Sequence, residues 1–157
     1  LRFCPFRMCG LFTVIFFKTF MNGLVNTISK SSNAFMPIQS FGTSETFLNN
    51  LIAHYHETVH SRSEVIEQLA KILDNLNYYH PFREGNGRTQ REVIRSLALS
   101  KGYRAQIRVE ADNDIYHLYM DGTVQGDIEI LKQLFEKNFG IKLTLLQYQS
   151  FKFIRTN

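Results

Sequence analysis

From Arg62 to Tyr79 the apolar residues Val65, Ile66, Leu69, Ile72, Leu73 and Leu76 recur three and four apart, which places them along one face of a core helix. A second stripe, Val93, Ile94, Leu97 and Ala98, follows and runs out near Gly102. Read the same way, the chain is expected to form helices at about 11–21, 44–60, 62–79, 86–101, 111–120 and 125–138. Ser61-Arg-Ser-Glu64 has the spacing of a capping box and should open the 62–79 helix. Asp112 or Asn113 is suited to cap one later helix and Asp127 the next, while Gly122 and Gly140 read as stop signals. Segment 141–157 shows neither the helical nor the strand period. The pattern predicts a mostly α fold, and 157 residues are enough for one adequate core, so 1–157 is read as a single domain.

Between the two stripes lies His80-Pro-Phe-Arg-Glu-Gly-Asn-Gly-Arg-Thr-Gln-Arg91. Pro81 cannot continue a helix and disfavours helical geometry before it, so His80 should stand where helix gives way to loop. Gly85-Asn86-Gly87 then falls at the N-terminus of the next helix, where unpaired N–H groups and the positive end of the helix dipole attract anions. The glycines let backbone approach a phosphate, and Asn86 tolerates left-handed geometry while offering amide donors. Arg88 and Arg91 are one turn apart and can both reach oxygens of a polyphosphate. Glu84, a hard anionic ligand beside that site, suits Mg²⁺, which keeps several waters and shares phosphate oxygens with one or two carboxylates. His80 is left as a general base. Each part alone has an ordinary structural explanation; the fixed order at a helix junction points to chemistry on a nucleotide phosphate.

The run His80-Pro81-Phe82-x-Glu84-Gly85-Asn86-Gly87-Arg88-x-x-Arg91 resembles the complete signature of the Fic (filamentation induced by cAMP) family. The resemblance implies a Fic-type helical bundle with a small β-hairpin flap. It also implies a protein adenylyltransferase that moves AMP from ATP to a hydroxyl of a target protein and releases pyrophosphate. By that likeness His80 deprotonates a Ser, Thr or Tyr, Phe82 anchors the loop in the core, and Glu84 holds Mg²⁺ against the phosphates. The turn Gly85, Asn86 and Gly87 would cradle phosphates while Arg88 and Arg91 steady the β and γ groups. Relatives that transfer phosphate carry Lys where Gly87 stands here, so Gly87 favours nucleotidyl transfer. Other implied activities are nucleotide binding without transfer, use of UTP, GTP or CDP-choline, and removal of AMP.

Beyond the motif, the stretch Leu11 to Lys30 is similar to the family's first helix running into its flap, which Phe35-Met-Pro37 would close; strands are expected only in that hairpin, near 26–36. In relatives the flap aligns an extended segment of the target by strand pairing. Lys30 is there either a nucleotide contact or a solvated loop lysine. Ile115, Tyr116, Tyr119 and Met120 would line an adenine pocket or pack in the core. Many members are silenced by a helix of pattern Ser/Thr-x-x-x-Glu-Gly/Asn whose Glu pairs with the motif's last arginine, here Arg91. The nearest match, Ser63-x-x-x-Glu67-Gln68, departs at its last position. The expected inhibitor is therefore a separate antitoxin protein, a segment before residue 1, or absent.

His56-Glu57-Thr58-Val59-His60 matches the H-E-x-x-H pattern of zinc metalloproteases. That chemistry needs both histidines well inside one helix, yet the capping box at Ser61 puts His60 at a helix end. The net charge of +4 is spread without a basic run, which argues against nucleic acid as partner. Cys4 and Cys9 form no disulfide framework, and a cytoplasmic location is expected, with delivery into a host cell as the effector variant. The apolar stretch Cys9 to Phe17 is too short to span a membrane, is followed by Lys18, and is read as a buried helix. The first residue is Leu, so the chain is read as N-terminally truncated, and the family resemblance implies more helix before it.

Overall fold

The computed structural model describes residues 36–140. The expected helix at 11–21, the flap hairpin with Lys30, and the segment 141–157 lie outside the described residues. A 3₁₀ turn at Ile38–Ser40 leads into five helices: α1 (Phe41–Thr58), α2 (Arg62–Tyr79), α3 (Asn86–Ser100), α4 (Asn113–Gln125) and α5 (Ile128–Asn138). Helix α2 packs against all four others, and α4 pairs with α5. The sequence accounts for this central place. Val65, Leu69, Ala70, Ile72 and Leu73 of α2 are wholly inaccessible, a broad band opposite the half-exposed Glu67 and Lys71. Each large aliphatic side chain so buried contributes about 1.5–3 kcal/mol, set against the entropy of ordering it. Val93, Ile94, Leu97 and Ala98 of α3 are buried as their spacing requires.

The junction of α1 and α2 is closed by local hydrogen bonds. Ser61 Oγ accepts from the Glu64 N–H at 3.2 Å, and Glu64 Oε2 accepts from the N–H groups of Ser61 and His60 at 3.0 and 2.9 Å. These bonds start α2 at Arg62, and α1, expected to reach residue 60, stops at Thr58 with Val59 extended. Lys101 Nζ, at the end of α3, donates to the carbonyls of His56 and Val59 at 2.9 and 2.7 Å and satisfies the frayed end of α1.

Of the two candidate caps for α4, Asp112 is the one used, accepting from the N–H groups of Asp114 and Ile115; Asp127 caps α5 through Glu129 and Ile130. Gly122 does not stop α4, which runs on to Gln125 and ends at the left-handed Gly126. It is instead a close-packing residue: a Cβ there would lie 2.5 Å from Leu131 Cδ2, so α4 and α5 approach each other through its missing side chain. After α5, Phe139 bridges Ala105 in antiparallel fashion and the Gly140 N–H donates to the Arg104 carbonyl at 2.8 Å. No helix among the described residues is long and apolar enough to cross a membrane.

Candidate active site

Helix α2 ends at His80, whose N–H still bonds the Leu76 carbonyl at 3.3 Å while its own backbone is left-handed at φ 37° and ψ 56°. That region is uncommon for a residue with a Cβ and reverses the chain sharply. Pro81 follows and prevents any further helical turn. The imidazole is half-buried with Nδ1 turned inward. Phe82 drops into the core, and Asn86 clamps it there: Asn86 Oδ1 accepts from the Phe82 N–H at 3.0 Å and Nδ2 donates to the Phe82 carbonyl.

Gly85 carries the second reversal, at φ 83°, and is the N-cap of α3. Left-handed geometry therefore belongs to Gly85 and not to Asn86, whose amide is taken up by the loop and whose backbone is already the first residue of α3. No side chain caps this helix. The N–H groups of its first turn lie at the positive end of the helix dipole, in the arrangement that binds anions. Glu84 is exposed immediately before Gly85, and Arg88 is exposed in the first turn of α3.

Arg91, one turn further on, is only 20% exposed. Its Nη2 lies 3.3 Å from Glu110 Oε1, and its guanidinium sits over the Tyr119 ring at 5.8 Å from the centroid. A Cβ on Gly87 would come within 3.3 Å of Arg91 Nη1 and 3.5 Å of the Tyr119 hydroxyl, so the glycine leaves the room this arginine occupies. His80, Glu84, Gly85, Asn86, Gly87, Arg88 and Arg91 thus belong to one turn between α2 and α3 and the first two turns of α3.

Sequence reasoning overlooked Gln90, Tyr119 and Glu110 as a set around Arg91. The Tyr119 hydroxyl donates to Gln90 Oε1 at 2.9 Å, and both residues are buried. Gln90 did carry a signal: it is a polar residue heading the apolar stripe of α3, three and four positions before Val93 and Ile94. Glu110 had none, since a single carboxylate in a connecting segment has no pattern. The run around Tyr119 divides between two surfaces. Ile115 and Tyr119 are buried, whereas Tyr116 and Met120 are exposed. Burial raises the phenol pKa of Tyr119, opposed by the positive charge of Arg91.

The zinc-protease pattern does not survive the fold. His56 lies within α1, but His60 follows the extended Val59 with its backbone N–H bound to Glu64, so the two rings share no helical face. Burial, and then the charge of Lys101, hold His56 below the usual imidazole range, and its Nε2 has no hydrogen-bond partner among the described residues.

A model of the Fic/DOC family matches residues 14–98, which is 85 of the 157 residues. A protein adenylyltransferase of Bartonella henselae is 33% identical over 76 residues, an alignment covering 48% of this chain and 14% of the relative. The "Probable protein adenylyltransferase Fic" of Escherichia coli K12 is 28% identical over 76 residues, covering 48% of this chain and 38% of the relative. The chain matches well under half the length of these relatives. Among solved structures, the N-terminal Fic domain of a VirB-translocated effector of Bartonella quintana with bound ADP is similar at a TM-score of 0.61 and 26% identity, over 74% of this chain and 56% of that one. The BepC effector of Bartonella tribocorum with bound AMPPNP shares the fold at a TM-score of 0.59 and 21% identity, over 73% of this chain and 55% of that one. With a complete motif seated on an uncapped helix N-terminus and a matching family model over more than half its length, the chain belongs to the Fic/DOC family.

Proposed function

We propose that this chain is a protein adenylyltransferase that uses ATP. The observation that carries the reading is the α2–α3 junction: two left-handed residues, His80 and Gly85, bracket a clamped turn and leave an uncapped helix N-terminus. Phosphates of the nucleotide would lie against the first N–H groups of α3, with Arg88 and Arg91 on their outer oxygens. With Nδ1 turned inward, His80 would use Nε2 to take the proton of a target hydroxyl. The hydroxyl oxygen would attack the α-phosphorus, the bond from that phosphorus to the bridging oxygen would break, and pyrophosphate would leave. The protein's contribution is positioning and charge stabilisation.

Glu84 fits Mg²⁺ as a single exposed hard-oxygen ligand beside the phosphate site. One carboxylate is enough for Mg²⁺ where phosphate oxygens and water complete its shell. When bound it would neutralise phosphate charge; Glu84 would hold it there. An adenine base is supported by the ADP bound in the similar Fic domain of Bartonella quintana, and a protein target by the names of the sequence relatives.

The test is transfer from ATP labelled separately at the α- and γ-phosphates, with Mg²⁺ and a cell lysate as target source. Protein should acquire α-label and not γ-label, and His80→Ala should abolish it. γ-Label on protein would make the chain a phosphotransferase, and ATP binding without transfer of either label would make it a binding module.

A further inference from the structure

Arg91 lies beyond the clamped turn, so something else must fix its guanidinium. Glu110 is a poor candidate, because its side chain is 76% exposed and a wet ion pair constrains geometry weakly. Tyr119 is of another kind. Its ring is buried beneath the guanidinium, and its hydroxyl is tied to Gln90. Gln90 Nε2 reaches the Leu76 carbonyl and Asn77 Oδ1, both at 3.4 Å, and Asn77 Nδ2 donates to the Thr123 carbonyl at 2.8 Å. The ring is thereby pinned to α2, α3 and α4 together.

We propose that Tyr119 is the positioning residue for Arg91: its buried face holds the guanidinium where it meets the terminal phosphates of a nucleoside triphosphate. Tyr119 stands on α4, outside the motif, and acts through Arg91 without touching the substrate. The inference rests on the reading of Arg91 as a phosphate ligand and adds the element that orients it. A guanidinium held over an aromatic face leaves its N–H groups to oxygen acceptors, and the exposed Glu110 carboxylate that takes Nη2 is one that phosphate oxygens would compete with.

The test is the affinity of the full chain for ATP and for AMP, with Mg²⁺ throughout, measured by calorimetry. Arg91→Ala should weaken ATP by about tenfold or more and leave AMP unchanged, as expected for loss of a charge-assisted hydrogen bond. Tyr119→Leu should reproduce that signature at about fivefold. Tyr119→Phe, which keeps the ring face and loses the hydroxyl with its bonds to Gln90 and Arg91, should show it at about two- to threefold. In the Arg91→Ala background neither substitution should weaken ATP further. Should the leucine variant not fold, the phenylalanine variant carries the test. Wild-type ATP-to-AMP ratios in the folded Tyr119 variants, equal weakening of AMP, or an additive loss without Arg91 would overturn the proposal while leaving Arg91 in place. An unchanged ratio in Arg91→Ala would remove the phosphate role of Arg91 and this inference with it.

Discussion

Two helix junctions of this chain use the same kinds of residue to opposite ends. The α1–α2 junction holds His56, Glu57, His60, Ser61 and Glu64; the α2–α3 junction holds His80, Glu84, Gly85, Asn86, Arg88 and Arg91. At the first, side chains of the protein itself answer groups at both helix ends. Ser61 and Glu64 cap the start of α2, and Lys101 binds the last carbonyls of α1. At the second, the side chain that could have capped α3, Asn86, is turned back onto Phe82, and the cap position is glycine. A functional junction is thus distinguished less by its residue types than by which backbone groups it leaves for a ligand.

The largest contrast should come from the imidazoles. His80→Ala should reduce adenylyl transfer by at least about 10²-fold with ATP affinity nearly unchanged, read as initial rates beside a binding titration. His56→Gln should leave transfer untouched. Next, Asn86→Ala removes both hydrogen bonds that hold the Phe82 backbone and should cost about 2–3 kcal/mol in urea unfolding, together with loss of nucleotide binding. Ser61→Ala, at the other junction, should cost about 1 kcal/mol and leave nucleotide binding intact.

Gly87→Ala should separate stability from function. Its helical backbone accepts alanine, with a gain of up to about 1 kcal/mol, but the new methyl group crowds Arg91 and Tyr119, so ATP affinity should fall. The smallest expected effect is a pH dependence. The folded pKa of His56 lies below its ordinary value of 6.5, so the unfolded chain binds the proton more readily. The stability contributed is complete above that value and is lost as the pH falls through the folded pKa. Urea midpoints on either side of 6.5 should show the decline, and His56→Gln should reduce it.

Much of this was legible in the sequence because it is local. Apolar residues three and four apart located α2 and α3, Ser61 and Glu64 marked a capping box, and Pro81 with the Gly85-Asn86-Gly87 turn marked the loop between the two helices, though the left-handed residue was read as Asn86 and is Gly85. The parts that escaped depend on contacts between distant segments. Gly122 read as a stop because its helix was visible and Leu131 opposite it was not. Asn86 read as a phosphate donor because nothing local reveals that its amide closes on Phe82. Tyr119 and Arg91 are 28 positions apart (119 − 91), and only the packing of α4 against α2, with Gln90 bonded to both, brings them into register.

The direct test of the contrast is backbone amide NMR during titration of the isotopically labelled chain with ATP and Mg²⁺. The amides of Gly85, Asn86, Gly87 and Arg88 should shift strongly and saturably, while those of Arg62, Ser63 and Glu64 at the capped start of α2 stay in place. Saturable shifts centred on the α2 start, or nucleotide binding that leaves the amides of 85–88 unmoved, would contradict the account.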